Sequence, residues 1–241
     1  MCLIAIAVHP SKRWPIVIAA NRDEFYDRPT RPLHVWDDDP NIAGGRDLRA
    51  GGSWLAVTRD GRFAAVTNIR GIDAPSARSR GALVGDFVRS NIAPLAYAEN
   101  FRPEEFAGFH LIVGDLRTVA HVATDAPARL LDDGIFAVSN APAAVDWPKI
   151  AIAREAMAKS LEGPIADDLM RFLTTPRGGP IENEIFVSLP EHGYGTRSST
   201  VVVMTEEEIV MREISHPSRE VVTLNLRPST NWPFFCKLER V

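Results

Sequence analysis

No stretch of this sequence approaches the roughly 18 consecutive apolar residues that a membrane-spanning helix needs. The opening MCLIAIAV is apolar, but no positive leader precedes it and HPSKRW interrupts it after Val8. It therefore does not read as a signal peptide. Cysteine is scarce: Cys2 and Cys236 are the two in 241 residues, too few for a disulfide framework, and the protein is expected in the cytoplasm. The six histidines, at 9, 34, 110, 121, 192 and 216, include no close pair at zinc-ligand spacing. No metal or other cofactor is expected. Neither a Walker A nor a GxGxxG spacing occurs, so the glycine-rich GGRDLRAGGS reads as a flexible loop rather than a phosphate nest. There is no basic tail and no long run of one charge sign, and the net charge is −4, which argues against nucleic acid as a partner.

What remains is an ordinary globular composition, 45% hydrophobic and 24% charged. The first third reads as β. LIAIAV and PIVIAA are strand-length apolar runs, and SWLAVT and RFAAVTN flank an Asp-Gly turn. The middle mixes a helix at GALVGDFVRSNI with strands at FHLIVGDL, VAHVAT and GIFAVSN. DWPKIAIAREAMAKSLEG is the strongest helix, with Asp146 as its candidate cap and Gly163 near its stop, and IADDLMRFLTT is a second. The end returns to β at IFVSLP, SSTVVVMT, EIVMREIS and EVVTLNL. Consecutive strands read as hairpin partners, so the sheets should be mostly antiparallel. Continuous apolar runs such as LIAIAV imply sheets covered on both faces. The expectation is an α+β layered fold with two sheets inside and helices outside.

Cys2 raises the functional question. Alone, a cysteine beside an apolar run is usually a small buried hydrophobe. If LIAIAV and PIVIAA form a hairpin, paired numbers add to about 24, and Cys2 lies near Arg22 and Asp23 of the stretch NRDE. A nearby cation favours the reactive thiolate, and a carboxylate can hold an amine. Cysteine is small enough to follow a cleavable initiator methionine. Removal of Met1 would leave Cys2 with an α-amine of pKa about 7.7–8.0, able to take the thiol proton. Asn68, Asn140 and Arg197 each fall at a strand end and would join the same sheet edge if their strands run in matching directions. Their neighbourhood would suit a developing oxyanion.

These residues carry a resemblance. MCLIAIAVHP followed by PIVIAANRDEFYDRPT, then GGSWLAVTRDGRFAAVTN, GFHLIVGDL, FAVSNA with DWPKI, and GYGTRSSTVVVM, resemble the NRDE family, also called the transport and Golgi organisation protein 2 family. That family in turn resembles the N-terminal nucleophile hydrolases of the choloylglycine hydrolase and penicillin V acylase branch. The resemblance implies a four-layer αββα sandwich, with residues 1–241 as a single domain. It implies Cys2 as nucleophile, Arg22 and Asp23 holding the thiol and amine, Asn68 and Asn140 serving the oxyanion or the amine, and Arg197 before a late strand. NRDE places Arg and Asp side by side where the acylases separate them, so Glu24 or Asn21 could share the work. The implied reaction is hydrolysis of a non-peptide amide, or a thioester, of a small-molecule substrate through an acyl-enzyme. Eukaryotic relatives are associated with secretory-pathway organisation and with haem or acyl-lipid handling. The alternative is therefore a non-catalytic carrier of a haem-like or acyl-lipid ligand on the same scaffold. The oligomeric state is left open.

Overall fold

The computed structural model describes residues 2–72 and 78–226. The chain starts with β1 (Leu3–Ser11), β2 (Trp14–Phe25), β3 (Thr30–Trp36), β4 (Asp39–Asp47), β5 (Leu55–Thr58) and β6 (Phe63–Asn68). Two helices follow, α1 (Arg80–Arg89) and α2 (Pro94–Glu99), then β7 (Phe109–Gly114), β8 (Val119–Ala123), β9 (Ala126–Leu130) and β10 (Gly134–Val138). After α3 (Pro148–Ser160) and α4 (Ile165–Thr174) come β11 (Ser188–Leu189), β12 (Tyr194–Met204), β13 (Ile209–Ser215) and β14 (Val221–Leu226). The strands form two seven-stranded antiparallel sheets. One runs β10-β1-β2-β12-β13-β14, with β11 paired to the start of β12; the other is the meander β3 to β9.

The apolar runs cover both faces of their sheets, and the pleat shows how. In β1 the even residues Ile4, Ile6 and Val8 meet Leu55, Val57, Phe63 and Ala65 of the second sheet. The odd residues Leu3, Ala5 and Ala7 meet Ile150, Met157 and Leu169 of α3 and α4. In β6, Phe63 and Ala65 face the first sheet while Ala64 and Val66 face Val84 and Phe87 of α1. A period of two side chains thus yields three cores and the layers αββα. Fully buried Phe63 sits at the sheet–sheet interface, where truncation to Ala would cost about 3–5 kcal/mol. Among the described residues no helix is long and apolar enough to cross a membrane.

Local signals explain most elements. In α4, Ile165, Leu169, Met170 and Leu173 form one buried stripe, and Asp167 and Asp168 sit in the first turn, where the helix dipole favours them. The β5–β6 hairpin turns through Arg59, Asp60 and Gly61, and Gly61 takes the positive φ of +81° that such a turn needs. Three expectations are corrected. Asp146 does not cap α3: the cap residue is Trp147, Pro148 opens the helix, and Asp146 instead pairs with Arg154 at 3.8 Å. IFVSLP is strand only at Ser188–Leu189. GGRDLRAGGS is not a flexible loop. Its first four residues end β4, and Asp47 then folds the chain by accepting from the N–H groups of Arg49 and Ala50 at 3.1 and 3.0 Å. The strands β3, β4 and β9 and the short helix α2 were not anticipated.

Candidate active site

Two strand registers place Cys2. In the β1–β2 hairpin, Leu3 pairs with Asn21, Ile4 with Ala20 and Val8 with Ile16. Continued by one residue, Cys2 faces Arg22, as the hairpin arithmetic requires. On the other side of β1, Ile4 pairs with Val138. Continued by two residues, Cys2 faces Asn140. The structure makes that second contact through the side chain: the Cys2 backbone N–H donates to Asn140 Oδ1 in a short hydrogen bond. Cys2 Sγ lies 3.9 Å from the Asp23 carbonyl oxygen.

Pleating also explains why Arg and Asp can be adjacent. Arg22 shares the face of Ile16, Ile18 and Ala20, which points between the sheets. There it donates to Asp47 Oδ2 at 3.0 Å and Thr30 Oγ1 at 3.3 Å, and its guanidinium stacks 4.5 Å over Trp54. Burial pushes the Asp47 carboxyl up, but the Arg28 hydrogen bond, the Ala50 N–H and the charges of Arg28 and Arg22 hold it below the ordinary range. Asp23 belongs to the opposite face. Its Oδ1 accepts from the Thr196 hydroxyl at 2.7 Å. Burial drives the Asp23 carboxyl up, against the pull of Thr196 and the nearby Lys149. Asn21 is not in the site: its amide donates to the carbonyls of Leu173 and Ile185, both at 2.8 Å, and so ties β2 to the end of α4. Glu24 is at the site, 3.7 Å from Arg28 and 3.9 Å from Arg22.

Asn140 is wholly buried and acts as a hub. Its Nδ2 lies 2.9 Å from Thr67 Oγ1 and 2.7 Å from both Asn68 O and Asn68 Oδ1. Its Oδ1 takes the Cys2 N–H. Its amide is committed on both sides and has no N–H left for an oxyanion. Asn68, with its Oδ1 turned to Asn140, lines the cavity over Cys2. Behind this hub His110, paired with Thr67 across β6–β7, bonds through Nε2 to the Ala141 carbonyl at 2.8 Å. A carbonyl accepts, so Nε2 carries the proton. Nδ1 must then accept from His121 Nε2, 3.2 Å away. The pair is neutral: burial lowers both imidazoles, His121 to about 3.

A cavity of about 370 Å³ opens above Cys2. It is lined by seven residues of charged type: Arg22, Arg28, Arg78, Arg80, Asp23, Glu24 and Asp47. The hydroxyls of Ser53, Thr67 and Ser79 and the faces of Trp54 and Val66 complete it. The loop after β4 meets the start of α1 here. A Cβ on Gly52 would stand 2.4 Å from the Gly81 carbonyl carbon, so only glycine permits that approach.

Arg197 is not brought to Cys2. The β2–β12 ladder slips between Thr196 and Ser198, so Thr196 pairs with Asp23, Ser198 with Arg22, and Arg197 is the extra residue of the bulge. It donates to the His216 carbonyl at 2.9 Å and lines a separate depression beside Glu213. Sequence reasoning missed Asp47, Thr196, Tyr194 and Lys149. Tyr194 stands near Cys2, Asp23 and Glu24; burial, with those negative neighbours, raises its phenol. Lys149 lay within the quoted DWPKI motif, where a lysine in an apolar helix start was a usable signal. Among the described residues no group of three or more His, Cys, Asp or Glu is placed to hold a metal ion.

The Transport and Golgi organisation 2 family model matches residues 1–214, and the chain belongs to that family. A mouse Transport and Golgi organization 2 homolog is 30% identical over 179 residues, covering 67% of this chain and 65% of the relative; the match thus spans about two thirds of that relative's length. The human homolog is 26% identical over 264 residues, covering 90% of this chain and 96% of its own. Among solved structures, a Caenorhabditis elegans ortholog of N-acylethanolamine-hydrolyzing acid amidase superposes with a TM-score of 0.50 at 14% identity, covering 84% of this chain and 92% of that one. The α+β sandwich with two antiparallel sheets is the N-terminal nucleophile hydrolase-like fold.

Proposed function

We propose that this member of the Transport and Golgi organisation 2 family is a cysteine hydrolase of a small-molecule amide, or thioester, acting after Met1 is removed. The observation that carries the reading is the seat of Cys2: its nitrogen is held by a buried asparagine, its thiol lies by Asp23, and a cavity opens over both. The freed α-amine takes the thiol proton, and sulfur adds to the substrate carbonyl. Asn68 Nδ2, turned away from Asn140, donates to the oxyanion. The C–N bond breaks as the α-ammonium returns its proton to the leaving amine. Water, deprotonated by the same amine, then cleaves the thioester. Asp23 and Asn140 hold the amine. Arg22 supplies positive charge beside the thiolate and is itself fixed by Asp47 and Trp54. Arg197 has no part in this reading. The charged side chains at the cavity, Arg22, Arg28, Arg78, Arg80, Glu24 and Asp47 among them, weigh against a haem-like or acyl-lipid cargo.

The test is intact mass before and after a p-nitrophenyl ester. The expected result is a chain lacking Met1 that gains one acyl group at Cys2, and a Cys2→Ala chain that gains none. Active protein that retains Met1, or acylation elsewhere, would overturn the reading.

A further inference from the structure

Arg197 stands on the bulge of β12 and takes no part in the Cys2 site. A bulge re-aims a side chain out of the regular pleat. Arg197 lines a depression of about 410 Å³ together with Thr30, Ser198, Glu213 and His216. This depression shares no lining residue with the Cys2 cavity. The guanidinium is pinned at one end: Nη1 donates to the His216 carbonyl at 2.9 Å, while the His216 backbone N–H donates back to the Arg197 carbonyl at 2.8 Å. Nε is buried and has no hydrogen-bond partner. The next residue repeats the pattern. Ser198 is 4% exposed, and its buried hydroxyl has no partner either. Buried polar groups are nearly always hydrogen-bonded, so two orphans on consecutive residues of one depression call for an explanation.

Charge points the same way. Arg22 and Arg28 both rest on Asp47. Among the described residues no carboxylate forms an ion pair with Arg197. Of the charges nearby, Arg22 opposes its cation and Glu24, itself shared with Arg22 and Arg28, favours it. Glu213 lines the same depression, but its oxygens are engaged by the Leu33 N–H at 2.7 Å and the Thr200 hydroxyl at 2.9 Å. Burial raises the Glu213 carboxyl towards its neutral form and lowers the His216 imidazole to about 4. The depression therefore offers a cation without an ion-pair partner and two unused donors.

We infer that this depression is a second binding site, for a small-molecule carboxylate. A guanidinium presents Nε–H and one Nη2–H in parallel, a fork that matches two carboxylate oxygens. The hydrogen bonds of Arg197 engage Nη1 and leave that edge to a ligand. Ser198 adds a hydroxyl from the adjacent residue. Water would satisfy the donors but not the charge. A phosphate dianion fits less well, because its second charge meets no second cation in the lining and Glu213 stands alongside. The volume is that of a small-molecule pocket. The inference goes beyond the nucleophile reading of Cys2 and does not depend on it. The two sites nevertheless adjoin: Ser198 pairs with Arg22 across the ladder, and Thr30 Oγ1 accepts from Arg22 Nη1 at 3.3 Å.

The experiment titrates sodium acetate into the full ¹⁵N-labelled chain at pH 7, with ionic strength held constant by sodium chloride. The Arg197 Nε–H signal, assigned by its loss in Arg197→Lys, and the residue-198 backbone amide are followed together by NMR. Both should shift and saturate with one dissociation constant. Ser198→Ala should weaken that constant roughly three- to tenfold, the worth of one hydrogen bond. Arg197→Met should abolish the saturable shift of the residue-198 amide. Should Arg197→Met not fold, Arg197→Lys replaces it; it keeps the charge but not the fork, and should also weaken binding at that amide. A shift that never saturates, or no shift at all, overturns the site and leaves only water in the depression. Unchanged binding in the folded Arg197 variant overturns the role of the guanidinium. Tighter binding of inorganic phosphate than of acetate overturns the carboxylate assignment.

Discussion

Asn140 offers the sharpest test of how the site is held. Its side chain is fully buried and is bound to Cys2 on one side and to Thr67 and Asn68 on the other. Asn140→Ala removes all of these bonds at once, leaving the Cys2 N–H without its acceptor and the Asn68 carbonyl with only the long 3.5 Å contact from the Thr67 hydroxyl. Each orphaned buried group costs about 1–3 kcal/mol. Water admitted to the new space recovers part of that, so the expected loss is about 3 kcal/mol. For a chain of this size that lowers Tm by roughly 6–12 °C. Asn68→Ala is the control: Asn140 keeps Thr67 Oγ1 and the Asn68 backbone carbonyl, and the loss should stay below about 1 kcal/mol. Asn140→Asp adds a signature. A buried carboxylate facing Asn68 O and Oδ1 favours protonation, so its folded pKa lies above the unfolded value. The stability of this variant should be highest below the ordinary carboxylate pKa and fall as pH rises through the raised one. Urea unfolding followed by tryptophan fluorescence measures all three variants. A loss below about 1 kcal/mol for Asn140→Ala, or equal losses for Asn140→Ala and Asn68→Ala, would show that the hub does not organise the site.

Two further outcomes are expected. His121, buried against His110, titrates at about 3, below its ordinary 6.5. The unfolded chain therefore binds more protons between those values, and the stability contributed by neutral His121 is present above about pH 6.5 and lost as pH falls towards 3. His121→Phe should remove that slope, up to about 1.4 kcal/mol per pH unit, and an identical acid profile for both proteins in urea titrations would refute the assignment. Cys2, open to the cavity, should react with limiting iodoacetamide at pH 6.5 well before Cys236. Cys236 lies outside the described residues, but its WPFFCKL surroundings are apolar and aromatic. Peptide mapping with label chiefly on Cys236 would defeat the nucleophile reading.

Much of the architecture was legible because it follows from local periodicity. LIAIAV and PIVIAA share one register whose numbers add to 24, and that alone brings Cys2 to Arg22. The continuous apolar runs announced sheets covered on both faces. The same periodicity fails where the chain departs from it. IFVSLP is an apolar run, yet it forms only a two-residue strand because Val187 bonds instead to the Thr196 side chain, at 2.9 Å. Asp146 had the residue type of a cap, but Pro148 and the docking of α3 set the helix start.

The sequence by itself determined the hairpin register, the layer order and the placement of a thiol beside Arg22 and Asp23, because a pleated strand carries its geometry in a period of two. Tertiary structure alone decided three things. A one-residue bulge in β12 put Thr196 rather than Arg197 against Asp23, and no side-chain pattern marks where a ladder slips. Packing of α3 on β1 and β10 buried Lys149, whose ammonium donates to the Glu184 carbonyl at 3.1 Å, across a separation in sequence that local preferences cannot see. The meeting of the two sheets turned Asn140 inward, where it joins Cys2 of one sheet to Thr67 and Asn68 of the other through four hydrogen-bond contacts of a single amide.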